Sequence, residues 1–563
     1  MLICGLKLTH DGAIALIENN KLIFSIELEK ILNNKRFTAI QENIIIKDIL
    51  SSYNYKIEDI DHFVIDGWGG TDQDALAIQP RLEIGNEYNL LKVWNKSLEY
   101  KIKIAHYQET KKDQNINKEY KFDGLLIDNK SLNYSSFLHV AGHIYSAYCT
   151  SPFSKNNESS YILVWDGGMY PCLYYFNADS NNVESLGPIF LLIGNIYTIF
   201  SQFFGPFKVN GNFAKDNLSV AGKVMAYISL GQVREELFDI FNGIYRSEYN
   251  MPMGFANIFS NKFKAKINGS KYSDEDILMS FHSFLENMLI DKLIKKVSRD
   301  GKRSGNLCLA GGCALNIKWN SAIRNSYFFN SLYIPPFPND SGSAIGIAAC
   351  LMSKMNVSNH LNWNVYSGPK INKNEPEYGW IKKECSEKEL AKLIFVTKEP
   401  IVILNGNAEL GPRALGNRSI LADPTSPKIK DILNQIKIRE YYRPVSPICM
   451  EEYAQEIFDP GTKDPYMLFD HMVRPEYINK IPGIIHLDNS ARLQTVNKTE
   501  NEVIYNIINE YYKLSGIPLL CNTSANYKGS GFFPDVNSVT KWGKTNFVWC
   551  EGTLFEKKEK NRF

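Results

Sequence analysis

No two of the ten cysteines in this 563-residue chain stand as CxxC. Neither a disulfide framework nor a zinc ribbon is expected, and a reducing cytoplasm is the natural compartment. Net charge is also nearly absent: 63 basic residues against 61 acidic ones leave +2, with no overall pull toward nucleic acid or membrane. The patterns GxxxxGKS/T, GxSxG and HExxH do not occur, which disfavours a P-loop NTPase, a serine hydrolase and a zincin. The opening MLICGLKLTHDG enters a strand pattern without signal-peptide architecture. The greasiest stretch, Gly187 to Phe207, is broken by Gly194, Asn195, Ser201, Gln202 and Gly205 and has no basic anchor. It reads as a buried helix of a large core, not a membrane span.

What is present is the composition of a globular protein, 44% hydrophobic and 22% charged, in a chain long enough for two or three domains. CGLKLTH, a turn at Asp11-Gly12 and AIALIEN form a strand-turn-strand pattern, followed by KLIFSIELEK. Tyr161 to Asn177 repeats the punctuation around Asp166, Gly167 and Gly168. Two such units predict an internal duplication with two α/β lobes. Gln79 to Asn133, rich in Lys, Asn, Tyr and Glu, reads as helices of a surface insertion. Leu307 to Asn316 reads as a strand, a glycine turn and a helix start, and Ser343 to Met355 as a small-residue helix. A breaker-rich joint, Ser367 to Pro376, divides a first domain (residues 1–366) from a second α/β domain (residues 378–563).

The second domain carries ELGPRALGNRSILADP, Glu409 to Pro424, in which Arg413 and Arg418 are spaced around Gly411 and Gly416 after the apolar run Ile401 to Leu404. Guanidinium groups grip phosphate or carboxylate in pairs of hydrogen bonds, and glycines let backbone amides approach. Lys437, Arg439, Arg443 and Arg492 add cations at turn-like positions, and IPLLCNTSAN ends a strand with Ser524 and Asn526. This is a pocket pattern for a small anion, although turn chemistry also explains short polar side chains at a strand exit.

In the first domain His139 and His143, spaced i, i+4 in SSFLHVAGHIYSAY, share one face of a helix capped by Ser135 or Ser136. Such a pair also occurs on ordinary buried helices. With Asp166 and Asp340 at strand ends, it suits a divalent iron, zinc or manganese ion acting as a Lewis acid. His10 stands at the first hairpin tip, where it either faces solvent or points into a cleft. Gly311 and Gly312 could approach a nucleotide phosphate with Asn316 on the next helix. Lys223, in DNLSVAGKVM, offers either a cleft cation or an ordinary helix-start lysine.

Taken together, THDGAIAL with IELEK, HVAGH, VWDGG, IYTIFSQFFG, AGKVM, LCLAGGCALN, NDSGSAIG, ELGPRALGNRSILADP, KIREYYRP, SARLQTV and CNTSAN resemble the O-carbamoyltransferases of antibiotic and nodulation-factor biosynthesis, nearly end to end. The resemblance implies a duplicated actin-like N-terminal domain with two lobes and a YrdC-like α/β C-terminal domain. It implies that the C-terminal domain converts carbamoyl phosphate and ATP, with Mg2+ allowed for, into carbamoyl-adenylate, and that the N-terminal domain transfers the carbamoyl group to a hydroxyl. It assigns His139, His143, Asp166 and Asp340 to a metal, Fe2+ foremost, and His10 to catalysis, where Lys223 is taken as a second candidate from its place beside a glycine. It gives Arg413, Arg418, Lys437, Arg443, Arg492, Ser524 and Asn526 to carbamoyl phosphate and ATP, and the nucleotide phosphate read at Gly311, Gly312 and Asn316 would then be that of the adenylate. The expected acceptor is a sugar or other natural-product hydroxyl. Alternatives are a hydroxymethyl pyrimidine of DNA or its nucleotide, tRNA threonylcarbamoyl transfer, and an inactive nucleotide-binding module. No membrane partner is expected, and a homodimer is allowed for.

Overall fold

A computed structural model describes residues 1–32, 37–69, 82–110, 114–208, 217–248 and 255–558. The chain divides into two compact units. The first comprises Met1–Ser25 and Ala39–Trp363, and the second Ile26–Thr38 and Asn364–Phe563. The second unit thus takes in a segment from near the start of the chain.

The first unit contains strands β1 (Leu2–Lys7), β2 (Ala13–Glu18), the start of β3 (Lys21–Glu27), β4 (His62–Asp66), β5 (Leu82–Glu83), β6 (Asn89–Asn95), β7 (Leu98–Ile104), β8 (Tyr120–Ile127) and β9 (Lys130–Phe137). It continues with β10 (Ser160–Val164), β11 (Cys172–Asn177), β12 (Asn182–Pro188), β13 (Asn306–Ala310) and β14 (Ser331–Tyr333). One sheet runs β3-β2-β1-β4-β9-β8 and another β12-β11-β10-β13-β14. In each, a hairpin pairs antiparallel (β1 with β2, β10 with β11) and its first strand pairs parallel with a later one (β4, β13). The same order therefore follows each Asp-Gly turn. Hairpin strands covered on both faces are apolar almost throughout, and all five residues of β10 are buried.

Helices His139–Cys149 and Ser343–Lys354 pack so closely that a Cβ on Gly346 would lie 1.8 Å from the Gly142 carbonyl oxygen. Gly142 stands between the two helix histidines, and Asp340 lies just before the partner helix. This backbone contact therefore sets the distance between imidazoles and carboxylate. The helix containing the histidines is not capped by Ser135 or Ser136, which belong to β9. Its first amides, of His139 and Val140, donate instead to the carbonyls of His106 and Tyr107 at 3.1 and 2.9 Å.

Two further expectations are corrected. The insertion expected as helices consists, where described, of the strands β5 to β9. Along β6 buried and half-buried residues alternate with a period of two, which a count of Lys, Asn and Glu does not register. Between Gly187 and Phe207 there is no long helix but the end of β12, a helix of six residues, Ile196–Ser201, and a short turn. There Gly194 donates to the Asp166 carbonyl at 3.0 Å, so the glycine breaks the helix to reach β10's exit. Among the described residues no helix is long and apolar enough to cross a membrane.

The second unit is built on an eight-stranded sheet of β15 (Trp380–Glu384), β16 (Ile401–Leu404), β17 (Arg418–Ala422), β18 (Ser446–Met450), β22 (Gln494–Val496), β23 (Leu519–Ser524), β24 (Phe547–Cys550) and β25 (Thr553–Lys557). Their order is β15-β25-β24-β16-β17-β23-β18-β22. A small sheet of β19 (Phe458–Asp459), β20 (His471–Val473) and β21 (Ser490–Ala491) lies apart from it. Amphipathic helices Glu387–Thr397 and Glu502–Ser515 bury Leu390, Ala391, Ile394, Ile504, Ile507 and Ile508 in the core beneath the sheet.

Candidate active site: a buried imidazole and carboxylate cluster and an arginine loop

In the first unit the structure brings His139, His143, Asp166 and Asp340 together, all buried, with one ligand-type atom of each within 4.8 Å of the others. The two Nε2 atoms are 3.1 Å apart, and each lies 3.5 Å from Asp340 Oδ1. His139 Nδ1 faces Asp66 Oδ2 at 2.7 Å, which fixes the ring and directs Nε2 inward. Asp166 Oδ1 accepts from the Gly312 amide at 2.7 Å, and Oδ2 accepts from the Tyr107 hydroxyl. Burial, then Asp166 and Asp340, push the Tyr107 phenol well above its usual range, so it remains a donor.

Lys7 is fully buried, with Nζ 2.9 Å from Asp66 Oδ2, 3.0 Å from Asp340 Oδ2 and 3.9 Å from the centre of the Trp68 ring. Burial alone would lower its pKa, but Asp340 and Asp66 outweigh it and keep the amine protonated. Asp340 is likewise raised by burial and then held well below the usual carboxylate range by Lys7, His139 and His10. His10 places Nε2 3.4 Å from Asp340 Oδ2 and Nδ1 2.9 Å from Asp11 Oδ2, with its ring against Trp68.

This donor set fits a divalent cation. Two imidazole nitrogens face each other across 3.1 Å in a buried site, a contact that a shared ion relieves. The buried carboxylates of Asp66, Asp166 and Asp340 gather round the two imidazoles beside Lys7, an oxygen and nitrogen set that suits a divalent ion.

Other expected residues have defined positions. Gly311, at φ 85°, brings its backbone so close that a Cβ would sit 2.4 Å from the Trp165 carbonyl oxygen. Gly312 gives its amide to Asp166, and the Asn316 side chain caps the helix Ile317–Asn325. What the glycine turn visibly does is hold a carboxylate of the cluster. Lys223 is half-buried on the helix Asn217–Tyr227.

In the second unit the arginine loop folds around the buried Glu409, whose Oε1 accepts from the amides of Leu415, Asn417 and Arg418 at 2.7, 2.7 and 3.1 Å. The Ile26–Thr38 segment clamps the same loop. Lys30 Nζ donates to Glu27 Oε1 at 2.6 Å and to the carbonyls of Glu409 and Gly411 at 2.5 and 2.8 Å, while the Gly411 amide donates to Glu27 at 2.8 Å.

The expected anion-binding residues split into two groups. Arg418 is 1% exposed, and its two terminal nitrogens donate to the carbonyls of Asn405, Asn417, Pro369 and Gly406 at 2.8 to 3.3 Å. Lys437 donates to the carbonyls of Ser524 and Asn526, both at 2.7 Å, and to the Asn526 side chain, while Ser524 donates to Asn526 Oδ1 at 2.7 Å. The Asn526 amide reaches the carbonyls of Tyr527 and Ser530 at 2.8 and 2.7 Å. With these donors given to the backbone, Arg418 and Lys437 visibly act as structural pins. Arg413, Arg443 and Arg492 are linked by charge, and Arg492 Nε also donates to Ser446 Oγ at 3.0 Å. Burial, then the charges of Arg413 and Arg443, depress the Arg492 guanidinium well below its usual value, with Asp464 opposing. A buried guanidinium with two further arginines within electrostatic reach is an anion-seeking group.

Sequence reasoning passed over Lys7, Asp66, Tyr107, Glu27 and Lys30. A signal exists for Asp66: HFVIDG is an apolar strand ending in Asp-Gly, like the turns at Asp11-Gly12 and Asp166-Gly167. Tyr107 carried none.

Comparison with known proteins agrees with the motif reading. The Carbamoyltransferase N-terminus model matches residues 2–350 and the Carbamoyltransferase C-terminus model residues 392–548. Nodulation protein U of Rhizobium tropici is 44% identical, covering 99% of this chain and 96% of its own length. That of Sinorhizobium fredii is 41% identical over 99% of each chain. The 3'-hydroxymethylcephem-O-carbamoyltransferase of Streptomyces clavuligerus is 28% identical over 96% of each. With both family models matched and relatives above 40% identity along nearly the whole length, the chain is an enzyme and belongs to the O-carbamoyltransferase family.

Proposed function

We propose that this enzyme is an ATP-dependent O-carbamoyltransferase of two half-reactions. The second unit, read as YrdC-like, makes carbamoyl-adenylate. Water splits carbamoyl phosphate into carbamate and inorganic phosphate, a carbamate oxygen bonds to the α-phosphorus of ATP, and the bond from that phosphorus to pyrophosphate breaks, with Arg413, Arg443 and Arg492 gathering the phosphate oxygens. The first unit, read as a duplicated actin-like domain, transfers the carbamoyl group to a small-molecule hydroxyl. The name of the Streptomyces clavuligerus relative gives it a hydroxymethyl acceptor, and a sugar or other natural-product hydroxyl is the class proposed here.

The observation that carries the reading is the buried convergence of His139, His143, Asp166 and Asp340 beside His10. These four would hold a divalent ion; the donor set accepts Fe2+, Zn2+ or Mn2+, and the resemblance favours Fe2+. Such an ion, when bound, supplies Lewis-acid polarisation of the carbamoyl carbonyl. His10, with Nδ1 oriented by Asp11, takes the hydroxyl proton on Nε2. The acceptor oxygen bonds to the carbamoyl carbon, the bond from that carbon to the adenylate phosphate oxygen breaks, and AMP leaves with the electron pair. Lys223 is assigned no step.

The test is incubation with carbamoyl phosphate, ATP, Mg2+ and a panel of hydroxylated acceptors, with mass detection of carbamoylated product and of pyrophosphate. Acceptor-independent pyrophosphate release dependent on carbamoyl phosphate is expected. Its absence under every metal condition overturns the reading.

A further inference from the structure

The two oxygens of Asp340 face different surroundings. Oδ1 lies 3.5 Å from both histidine Nε2 atoms. Oδ2 is turned to Lys7 Nζ at 3.0 Å and His10 Nε2 at 3.4 Å. Lys7 cannot readily leave: it lies under the Trp68 ring and is tied to Asp66 Oδ2 at 2.9 Å, the same oxygen that orients His139. One Asp66 oxygen therefore anchors both a ligand imidazole and the ammonium that engages the far side of a ligand carboxylate. A carboxylate with both oxygens free readily chelates a cation, whereas one oxygen paired with an ammonium leaves the other as the sole ligand.

We propose that Lys7 is a positioning residue that restricts Asp340 to a single ligand oxygen, Oδ1, and so keeps a coordination position of the bound ion open for the carbamoyl oxygen. The proposal rests on the reading that the cluster holds a divalent ion. Binding is weakened by a cation near the ion and catalysis is improved by the open position. Removing Lys7 should therefore have opposite effects on the two.

Metal-depleted wild-type and Lys7→Met proteins are titrated with Co2+, with affinity read by calorimetry, coordination number by visible absorption, and folding by thermal melting. Lys7→Met is expected to bind Co2+ about tenfold tighter or more, because a neighbouring unit charge is gone. Its visible absorption should weaken as Asp340 adds a second oxygen, and acceptor carbamoylation should fall at least about tenfold. Equal or weaker Co2+ binding by folded Lys7→Met, with an unchanged spectrum, overturns the proposal and leaves the metal reading standing. Absence of saturable Co2+ binding by the wild type overturns the metal reading, and this proposal with it. Lys7→Arg keeps the charge and provides the independent arm should Lys7→Met not fold. Its Co2+ spectrum and affinity should stay near those of the wild type, and a spectrum shifted to higher coordination overturns the proposal.

Discussion

The two clusters of polar side chains are assembled on opposite principles. In the first unit the important groups face one another: imidazoles meet at 3.1 Å and a buried ammonium bridges two carboxylates. In the second, the basic residues separate. Arg418 and Lys437 are satisfied by carbonyls of their own unit, whereas Arg492 is buried within electrostatic reach of Arg413 and Arg443, which with burial hold its guanidinium below its usual value. A cation whose hydrogen bonds are complete is scaffold. One held against like charge marks where an anion belongs.

The largest effect expected from challenging this contrast is on the imidazole cluster. His139→Ala should lower acceptor carbamoylation on the order of a thousandfold, while acceptor-independent pyrophosphate release stays within about twofold. Loss of both together would show that the units do not divide the chemistry. Next comes a paired test of the arginines. Arg418→Ala takes its donors from the carbonyls of Asn405 and Gly406, while those of Asn417 and Pro369 keep the amides of Asn405 and Ala408, and should cost about 3 kcal/mol or more, visible as a lowered Tm. Arg492→Ala should leave Tm unchanged or raise it, because repulsion from Arg413 and Arg443 is relieved, while raising the KM for carbamoyl phosphate about tenfold or more. A reversed pattern would collapse the distinction between pin and site. Lys30→Met should loosen the loop at Glu409 and Gly411, slowing pyrophosphate release about fivefold to tenfold with a stability loss of about 1–3 kcal/mol. Tyr107→Phe, which removes one donor to Asp166, should be the mildest, weakening Co2+ binding by roughly threefold to tenfold as measured by calorimetry.

The sequence made some of this legible because residue type and spacing carry it. His139 and His143 declare themselves by i, i+4 spacing, and Asp166 by the repeated Asp-Gly turn. The same punctuation marked the two strand-turn-strand units, whereas the order of strands in each sheet came only with the structure. Lys7 and Asp66 were not legible, because their meaning depends on a partner 59 residues away across a parallel strand pair. Arg418 and Arg492 look alike in sequence, and only burial and hydrogen-bond partners separate them. The residues around β6 and β7 misled because lysine and asparagine content was weighed above alternation.

The clamp on the arginine loop bears on the order in which this protein can be made. Lys30 leaves the ribosome long before Glu409, the carbonyl it grips 379 residues later. The C-terminal unit therefore cannot complete itself from its own contiguous stretch of chain. It must receive a peptide synthesised near the beginning, so a fragment starting at Asn364 would lack both Glu27 and Lys30. Supplying residues 26–38 in trans is the natural complement to any such fragment.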